Sequence, residues 1–346
     1  MPKFLISIID SFVTYLNELS RNQDILMFID TPASRKFKWL NLYPAAKGPP
    51  AVIKNIRTSL VRARLPHKLI FRSELDFNLK CDLKKSKAKV VLIPSWSNDG
   101  DDLEELLCSV PKTSLILIGP NISLSMDIIN KICKKYEGRL HFLMPSKQIF
   151  DYFSRVFKDN KALIRSSSIL PTPIDHESWK PSKFSHKTLI LIYLKNYKAG
   201  IDDAAIAYLK HRFLNRVRFV KYGEYTSAQF RSVLKRTYFA VYLADTESQG
   251  LALLEMWSSN VTTFIRLPEF KTNADTSIPW KYGEREEEYA PFLSSQNGAF
   301  FSNVKTLENL IDDLETQKKT YTPRDWVLSN LNFESFCIDL KKIIDD

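Results

Sequence analysis

The sequence predicts an α/β protein with two domains, each built around a mainly parallel β-sheet. The chain has 346 residues, more than one domain usually holds, so two domains of about 150 residues each are expected. Hydrophobic residues make up 44% of the chain and aromatic residues 12%, which is enough for two packed cores. Short apolar runs alternate with longer amphipathic stretches, a pattern typical of parallel strands connected by helices.

In the first half of the chain, apolar runs predict strands at residues 25–29, 68–71, 90–93, 115–118 and 140–144. Helical spacing of apolar residues predicts helices at 4–19, 52–63 and 126–136. Asp10 and Glu18 interrupt the first of these, so a packed helix is favoured over a signal peptide, a transmembrane helix or a membrane-surface helix. Residues 94–100 follow a strand and are expected to form a loop at the edge where open α/β sheets bind ligands.

A break in regular structure near residue 172 divides the two predicted domains. Pro171, Pro173 and Pro181 interrupt this region, because proline restricts the backbone and donates no N–H. A second series follows, with strands expected at 188–193, 218–221, 239–243 and 261–265 and helices at 203–213, 227–235 and 251–258. The predicted domains are therefore residues 1–172 and 173–325. A C-terminal segment, residues 326–346, is expected to pack back toward the first domain, and residues 272–289 to form a surface insertion.

The charge and the cysteines narrow the range of functions. The formal net charge of +11 attracts anions, but the basic residues occur in scattered pairs rather than in long runs. The sequence contains no nucleic-acid recognition module and no G-x-G-x-x-G dinucleotide motif. The four cysteines lie far apart and lack zinc-ligand spacing. We therefore expect no disulfide framework and no metal site, and a cytoplasmic location where thiols stay reduced.

The most informative segment is residues 238–257, where an apolar strand leads through a polar loop into a helix that starts at or just after Gly250. The amino end of a helix presents N–H groups and partial positive charge, so a phosphate is the expected ligand there. Glu247 lies on the loop and Glu255 on the helix, so the two carboxylates can contact two parts of one elongated ligand. A simpler interpretation stays open: Ser248 caps the helix and Glu247 offsets its dipole.

The seven residues between Glu247 and Glu255 give a spacing that resembles the signature of retaining GT-B glycosyltransferases, specifically glycosyltransferase family four. Other segments resemble parts of the family pattern in the same order: residues 47–50 (Lys-Gly-Pro-Pro), 144–146 (Met-Pro-Ser), 170–175 (Leu-Pro-Thr-Pro-Ile-Asp), 222–225 (Tyr-Gly-Glu-Tyr) and 297–298 (Asn-Gly). The resemblance implies a GT-B architecture, with two Rossmann-like domains facing across a cleft. The sequence departs from the pattern in its first loop, which keeps one glycine, and at Lys195, where the family has arginine.

The resemblance also implies roles for individual residues. Glu255 would bind the ribose hydroxyls of a nucleotide, and Glu247 would bind hydroxyls of the donor sugar. Lys195 and Lys198 would stabilise the negative charge that grows on the departing diphosphate, which removes the need for a metal ion. Glu247 and the two lysines are thus the expected catalytic residues. The other donor-binding residues that the resemblance implies are Gly48, Tyr222, Gly223, Ser248, Gln249, Gly250 and Leu251.

The implied reaction moves a hexose-type sugar from a GDP- or UDP-sugar to a hydroxyl of a glycan or glycoconjugate, with retention of configuration and without a cofactor. The first domain would hold the acceptor and the second the nucleotide sugar. Peripheral membrane contact and a homodimer are left open, and no nucleic-acid partner is expected. Two alternatives remain: an inactive GT-B protein that binds carbohydrate or nucleotide, favoured by the reduced glycine loop, and a nucleic-acid-binding protein, favoured only by the charge of +11.

Overall fold

The computed structural model describes residues 25–29, 52, 55, 56, 59, 67–71, 89–97, 100–181, 187–195, 200–244, 247–267 and 290–345. These residues divide into two compact units. Described residues up to Pro173, together with the last helix, form the first unit, and Ile174–Asn332 contains the second. The predicted helix at 4–19 and the predicted insertion at 272–289 lie outside the described residues.

The first unit contains a parallel six-stranded sheet with the order β2-β1-β3-β4-β5-β6. Its strands are β1 (Ile25–Ile29), β2 (His67–Phe71), β3 (Val90–Ser97), β4 (Leu115–Ser123), β5 (Leu140–Met144) and β6 (Ser167–Ile169). Its helices are α1 (Gly100–Ser109), α2 (Met126–Lys135), α3 (Lys147–Val156) and α4 (Lys161–Arg165). Parallel neighbours need crossover connections, and the helices between β3, β4, β5 and β6 provide them.

The second unit contains a parallel five-stranded sheet with the order β11-β10-β9-β7-β8. Its strands are β7 (Leu189–Leu194), β8 (Val217–Lys221), β9 (Thr237–Leu243), β10 (Thr262–Arg266) and β11 (Gly298–Phe301). Its helices are α5 (Ile201–Phe213), α6 (Ser227–Leu234), α7 (Leu251–Ser258), α8 (Val304–Glu315) and α9 (Pro323–Asn330). A final helix, α10 (Phe333–Asp345), belongs to the first unit.

The core of the second unit lies on both faces of its sheet, because side chains of a strand alternate between faces. Tyr193 and Tyr242 pack on the face covered by α6 and α7, in one buried cluster. Ile192 and Val241, their neighbours in sequence, pack in a separate cluster with residues of α5 and α8. The alternation therefore places both tyrosines on the face that also carries α7.

The α/β prediction with two parallel sheets is confirmed, but two strand ends were predicted too early. Residues 94–97, predicted as a loop, continue β3, and β4 continues past 118 to Ser123. The pairing register shifts between Ile93 and Ser95, at Pro94, and resumes with Ser95 opposite Asn121. Proline cannot donate to a ladder, so it interrupts the pattern without ending the strand. In the part of the chain that the structure describes, no helix has the length and hydrophobicity to cross a membrane.

Candidate functional site

The loop between β9 and α7 brings its glutamate to the carboxyl edge of the second sheet. Gly250 is the N-cap of α7 and has left-handed backbone angles, φ 75° and ψ 53°. A β-carbon at Gly250 would lie 3.1 Å from Leu253 Cδ1 and 3.6 Å from Glu247 Cγ, so glycine suits both the conformation and the space. The alternative prediction that Ser248 caps this helix is wrong, because the cap residue is Gly250 and Ser248 is exposed.

The Glu247 carboxylate is buried and receives two hydrogen bonds on the same oxygen. Lys195 Nζ donates to Glu247 Oε1 at 2.8 Å, and the Tyr242 hydroxyl donates to it at 2.5 Å. Lys195 immediately follows β7, and its backbone N–H donates to the carbonyl of Leu243, the last residue of β9. Its ammonium also lies 5.0 Å from the centre of the Tyr222 ring. The structure therefore brings together the predicted residues Glu247, Lys195 and Tyr222.

A group of buried tyrosines supports this carboxylate. Tyr193 stacks on Tyr242, with ring planes 4° apart and centroids separated by 4.8 Å. The hydroxyl groups of Tyr193 and Tyr225 form a 2.8 Å hydrogen bond. Burial is the main cause that raises the pKa of all three phenols well above the ordinary value, and the nearby Glu247 carboxylate raises each pKa further. The tyrosines therefore stay neutral and act as hydrogen-bonding groups.

Glu255 lies in α7, on the same side of the sheet as these tyrosines. Its side chain is 6% exposed, and its charge also raises the pKa of Tyr193 and of Tyr225. Since Glu247 acts on the same two phenols, the two carboxylates converge on one group of rings. Gln249 is buried beside them in the loop, and Leu251 begins the helix. Gly223, with φ 80°, turns the chain after Tyr222.

A buried ion pair ties the same edge of the sheet together. Arg266, at the end of β10, lies with Nε 3.0 Å from Asp202 Oδ1, and both side chains are almost completely buried. Arg266 Nη2 also donates to the carbonyl of Ala244, just after β9. Asp202 is in the first turn of α5, so one guanidinium connects the ends of two strands with the start of a helix. This connection fixes the position from which the Glu247 loop departs.

Two predicted site residues, Gly48 and Lys198, lie outside the described residues. Sequence reasoning missed Tyr242 and the Asp202–Arg266 pair. Tyr242 stands in an apolar strand and looks like an ordinary core residue, although its position five residues before Glu247 was a usable signal. Arg266 is the last residue of β10, whose other residues are uncharged. Charged residues are rarely buried unless they are paired, so an arginine at the end of a buried strand indicates a buried partner.

The sequence holds one Asp-x-Asp, at residues 99–101, a motif that the expectation of metal independence took to be absent. Its first aspartate is outside the described residues, and Gly100 begins α1 in the first unit. Over the described ranges, no group of three or more His, Cys, Asp or Glu side chains could hold a metal ion. Metal independence stays a prediction.

Comparison with known proteins identifies the fold. No protein-family model matches the chain, and no curated protein matches it in sequence. A glycosyltransferase from Rickettsia africae ESF-5 has 8% sequence identity and a TM-score of 0.57, over 93% of this chain and 98% of that one. Sucrose-phosphate synthase from Thermosynechococcus elongatus has 10% identity and a TM-score of 0.56, over 93% and 98%. The lipopolysaccharide outer core galactosyltransferase WaaB has 11% identity and a TM-score of 0.52, over 93% and 99%.

These three proteins are GT-B glycosyltransferases, and the predicted GT-B fold is confirmed. At identities of 8–11%, the likeness concerns the fold alone. Membership of glycosyltransferase family four stays a prediction.

Proposed function

We propose that the protein is a retaining, metal-independent glycosyltransferase of glycan biosynthesis, which moves a hexose-type sugar from a GDP- or UDP-sugar to a hydroxyl group of an acceptor. The observation that carries this proposal is the convergence of Lys195, Glu247 and Glu255 at the carboxyl edge of the second sheet. Ligands of open α/β sheets bind at that edge, at the point where strand order reverses. Here the reversal lies between β7 and β9, which end at Lys195 and at the Glu247 loop.

The site offers a separate partner to each part of a nucleotide sugar. The amino end of α7 provides N–H groups and partial positive charge for the diphosphate. Glu247 provides a carboxylate for hydroxyl groups of the sugar, and Glu255 provides one for the ribose hydroxyls. Both carboxylates are buried, so their hydrogen bonds form in a medium where such bonds are strong.

Transfer breaks the bond between the sugar C1 and the diphosphate oxygen and forms a bond between C1 and the acceptor oxygen. The acceptor approaches on the face that the diphosphate leaves, and its proton passes to the departing phosphate oxygen. Negative charge grows on that oxygen, and the Lys195 ammonium, which pairs with Glu247, stabilises it in this proposal. A lysine meets this demand as a point charge rather than as a planar fork. This is the physical reason to propose that no metal ion is needed.

The first test is a thermal-shift screen of the full chain against GDP, UDP, ADP and their sugars. A ligand that binds the folded state raises its apparent stability, so one diphosphate should raise the melting temperature. Glu255→Ala should abolish most of that rise, because the ribose hydroxyls lose their acceptor. Unchanged affinity of a folded Glu255→Ala protein for the same diphosphate would show that the site is assigned wrongly.

The second test concerns turnover. We expect Glu247→Ala to lower the rate of sugar transfer or donor hydrolysis about 10²–10³-fold while donor binding persists, since the lost contact involves the reacting sugar. EDTA should leave the wild-type rate unchanged. Binding of a nucleotide sugar without transfer or hydrolysis under any condition would favour the inactive binding protein. Salt-sensitive binding to random DNA without nucleotide-sugar affinity would favour the nucleic-acid-binding alternative.

A further inference from the structure

A pocket of about 480 Å³ lies beside the Lys195–Glu247 pair, entirely within the second unit. It lies along α5, beside the last residues of β7 and β8, and is lined by Leu194, Lys195, Asp203, Ile206, Lys210, Phe219, Lys221 and Tyr222. Its volume falls within the range of small-ligand pockets, roughly 300–1,000 Å³. Tyr225, Glu255 and the N-cap of α7 do not line it, so the pocket adjoins the proposed donor site, with which it shares Lys195 and Tyr222, without being the same site.

Each of two aromatic rings in this pocket has a lysine ammonium group over its face. Phe219 is 44% exposed, and Lys210 Nζ lies 5.2 Å from the centre of its ring. Tyr222 is 38% exposed, and Lys195 Nζ lies 5.0 Å from its ring centre. Both rings line one pocket, and a ring with a cation beside it suits a ligand with a flat apolar face and an anionic group.

The charges of the pocket favour an anion. Three lysines face one aspartate, and Asp203 Oδ2 already accepts a hydrogen bond from the Gly200 N–H at 3.0 Å. Lys195 is paired with Glu247, and Lys221 with Glu224 at 2.5 Å. Among the side chains that the structure describes, none forms an ion pair with Lys210. Lys210 is therefore the cation with most capacity to bind a phosphate.

We propose that this pocket binds a phosphorylated sugar, with its phosphate at Lys210 and its ring against Phe219 and Tyr222. The proposal rests on the proposed function in one respect: a ligand here lies next to Lys195 and Glu247, where the sugar would be transferred. The pocket then holds part of the acceptor, which is a phosphate-bearing sugar or glycan. The second unit therefore shares in the acceptor binding that the resemblance assigns to the first domain. The chemistry that recognises this acceptor is a phosphate adjoining a sugar ring.

The test is isothermal titration of the full chain with glucose 1-phosphate, with glucose and with inorganic phosphate as comparisons. We expect saturable binding of glucose 1-phosphate and about tenfold weaker binding by Lys210→Met, since the phosphate loses one hydrogen bond from a charged group. Methionine keeps an unbranched apolar side chain beside Phe219, so charge is the main change. The matched control is Lys319→Met, because Lys319 lies 4.9 Å from the ring of Tyr321, outside the pocket.

A variant of an aromatic residue tests the contact with the sugar ring. Phe219→Ala should weaken the binding of glucose 1-phosphate more than the binding of inorganic phosphate, because only the sugar contacts the Phe219 ring. Comparison with the methyl phosphodiester of glucose 1-phosphate separates the sources: preference for the monoester indicates a free sugar phosphate, and preference for the diester a phosphodiester-linked glycan. Equal affinity of wild type and Lys210→Met, or equal affinity for glucose and its phosphate, would overturn the proposal.

The donor and acceptor assignments fail in different ways. Glu255→Ala should lose nucleotide affinity and keep glucose 1-phosphate affinity. If UDP or GDP displaces glucose 1-phosphate competitively, the pocket is part of the donor site and the acceptor assignment is wrong. If glucose 1-phosphate binds through Lys210 while no nucleotide binds the wild type, the pocket stands and the proposed donor site fails.

Discussion

The two units share one plan, a parallel sheet flanked by helices, and differ in where they place charged side chains. Among the described residues, all buried charged side chains belong to the second unit; they are Asp175, Asp202, Glu247, Glu255 and Arg266. In the described part of the first unit, the buried polar side chains carry hydroxyl groups or, at Asn55, an amide. Its lysine–carboxylate cluster lies on the surface, where Lys131 and Lys135 pair with Glu104 across α1 and α2.

Burying a charge costs several kcal/mol, and the attraction of a partner often does no more than offset that cost. A sheet of this kind folds without buried charges, as the described part of the first unit shows. The second unit keeps four of its five buried charges near one edge of the sheet: Glu247, Glu255 and the Asp202–Arg266 pair. The tyrosines around Glu247, whose pKa values burial raises, lie in the same place, and perturbed ionisable groups gathered at one place are typical of functional sites. The contrast therefore supports the proposal that the second unit binds the charged substrate.

The largest effect on stability should follow from breaking the buried pair. Arg266→Met leaves the Asp202 carboxylate in place without the guanidinium, and we expect the free energy of unfolding to fall by about 3–5 kcal/mol. Urea unfolding followed by tryptophan fluorescence measures the change. Glu104→Gln, which breaks an exposed cluster of the first unit, is the control and should leave the urea midpoint close to that of the wild type.

A double variant makes this test decisive. Asp202→Leu combined with Arg266→Met removes both charges, so it should recover part of the stability that Arg266→Met loses. If the single change at Arg266 costs no more than the change at Glu104, the buried pair does not differ from a surface pair. The comparison between the units would then lose its energetic basis.

A smaller effect, on turnover alone, should follow from Tyr242→Phe. The change removes the hydroxyl that donates to Glu247 Oε1 and keeps the ring that stacks on Tyr193. We expect turnover to fall about tenfold, because the carboxylate loses a charged hydrogen bond that holds its orientation. Steady-state kinetics should show a lower kcat with little change in the KM for the donor.

The control for Tyr242→Phe is Tyr238→Phe, which removes a hydroxyl from the same strand in the other hydrophobic cluster. Equal kcat in the two variants, or a loss of kcat matched by an equal loss of thermal stability, would reduce Tyr242 to a structural role.

The elements around the site could be predicted because their sequence patterns are strong. The strands β7 and β9 are nearly continuous apolar runs, and Gly250 marks the start of α7. The ends of β3 and β4 could not be predicted. Pro94 and Pro120 look like the ends of strands, but strand pairing resumes beyond both residues. The three-residue strand β6, Ser-Ser-Ile, is too short and too polar to give a signal.

For the site, the resemblance to glycosyltransferase family four implied that Lys195 and Glu247 serve one site, although they lie 52 positions apart in the sequence. The contact between Asp202 and Arg266 could not be predicted, because it depends on how α5, β9 and β10 meet in three dimensions. Tyr242 had the composition of a core residue, and its function is visible only from the hydroxyl that it turns toward Glu247.

The smallest expected effect compares two lysines as the pH changes. Lys187, in the second unit, donates hydrogen bonds to the carbonyls of Ser259 and Asn260 at the end of α7, and burial lowers its pKa to about 8. Below that pH the Lys187 amine is protonated in both the folded and the unfolded chain. The folded state then carries the full free-energy cost of burying this charge. Between pH 8 and about 10.5 the folded chain releases a proton that the unfolded chain keeps, so stability rises with pH.

In the first unit, the Glu104 carboxylate raises the pKa of the exposed Lys135. The effect of pH on stability therefore has the opposite sign to that of Lys187. The contribution of Lys135 is constant up to the ordinary lysine pKa of about 10.5 and is lost only at higher pH. Urea midpoints of wild type, Lys187→Met and Lys135→Met at pH 7 and pH 9.5 test this difference. The wild type should gain stability relative to Lys187→Met over this interval and keep a constant difference from Lys135→Met. Parallel behaviour of the two variants would mean that Lys187 is solvated like a surface lysine, and that the two lysines do not differ in their surroundings.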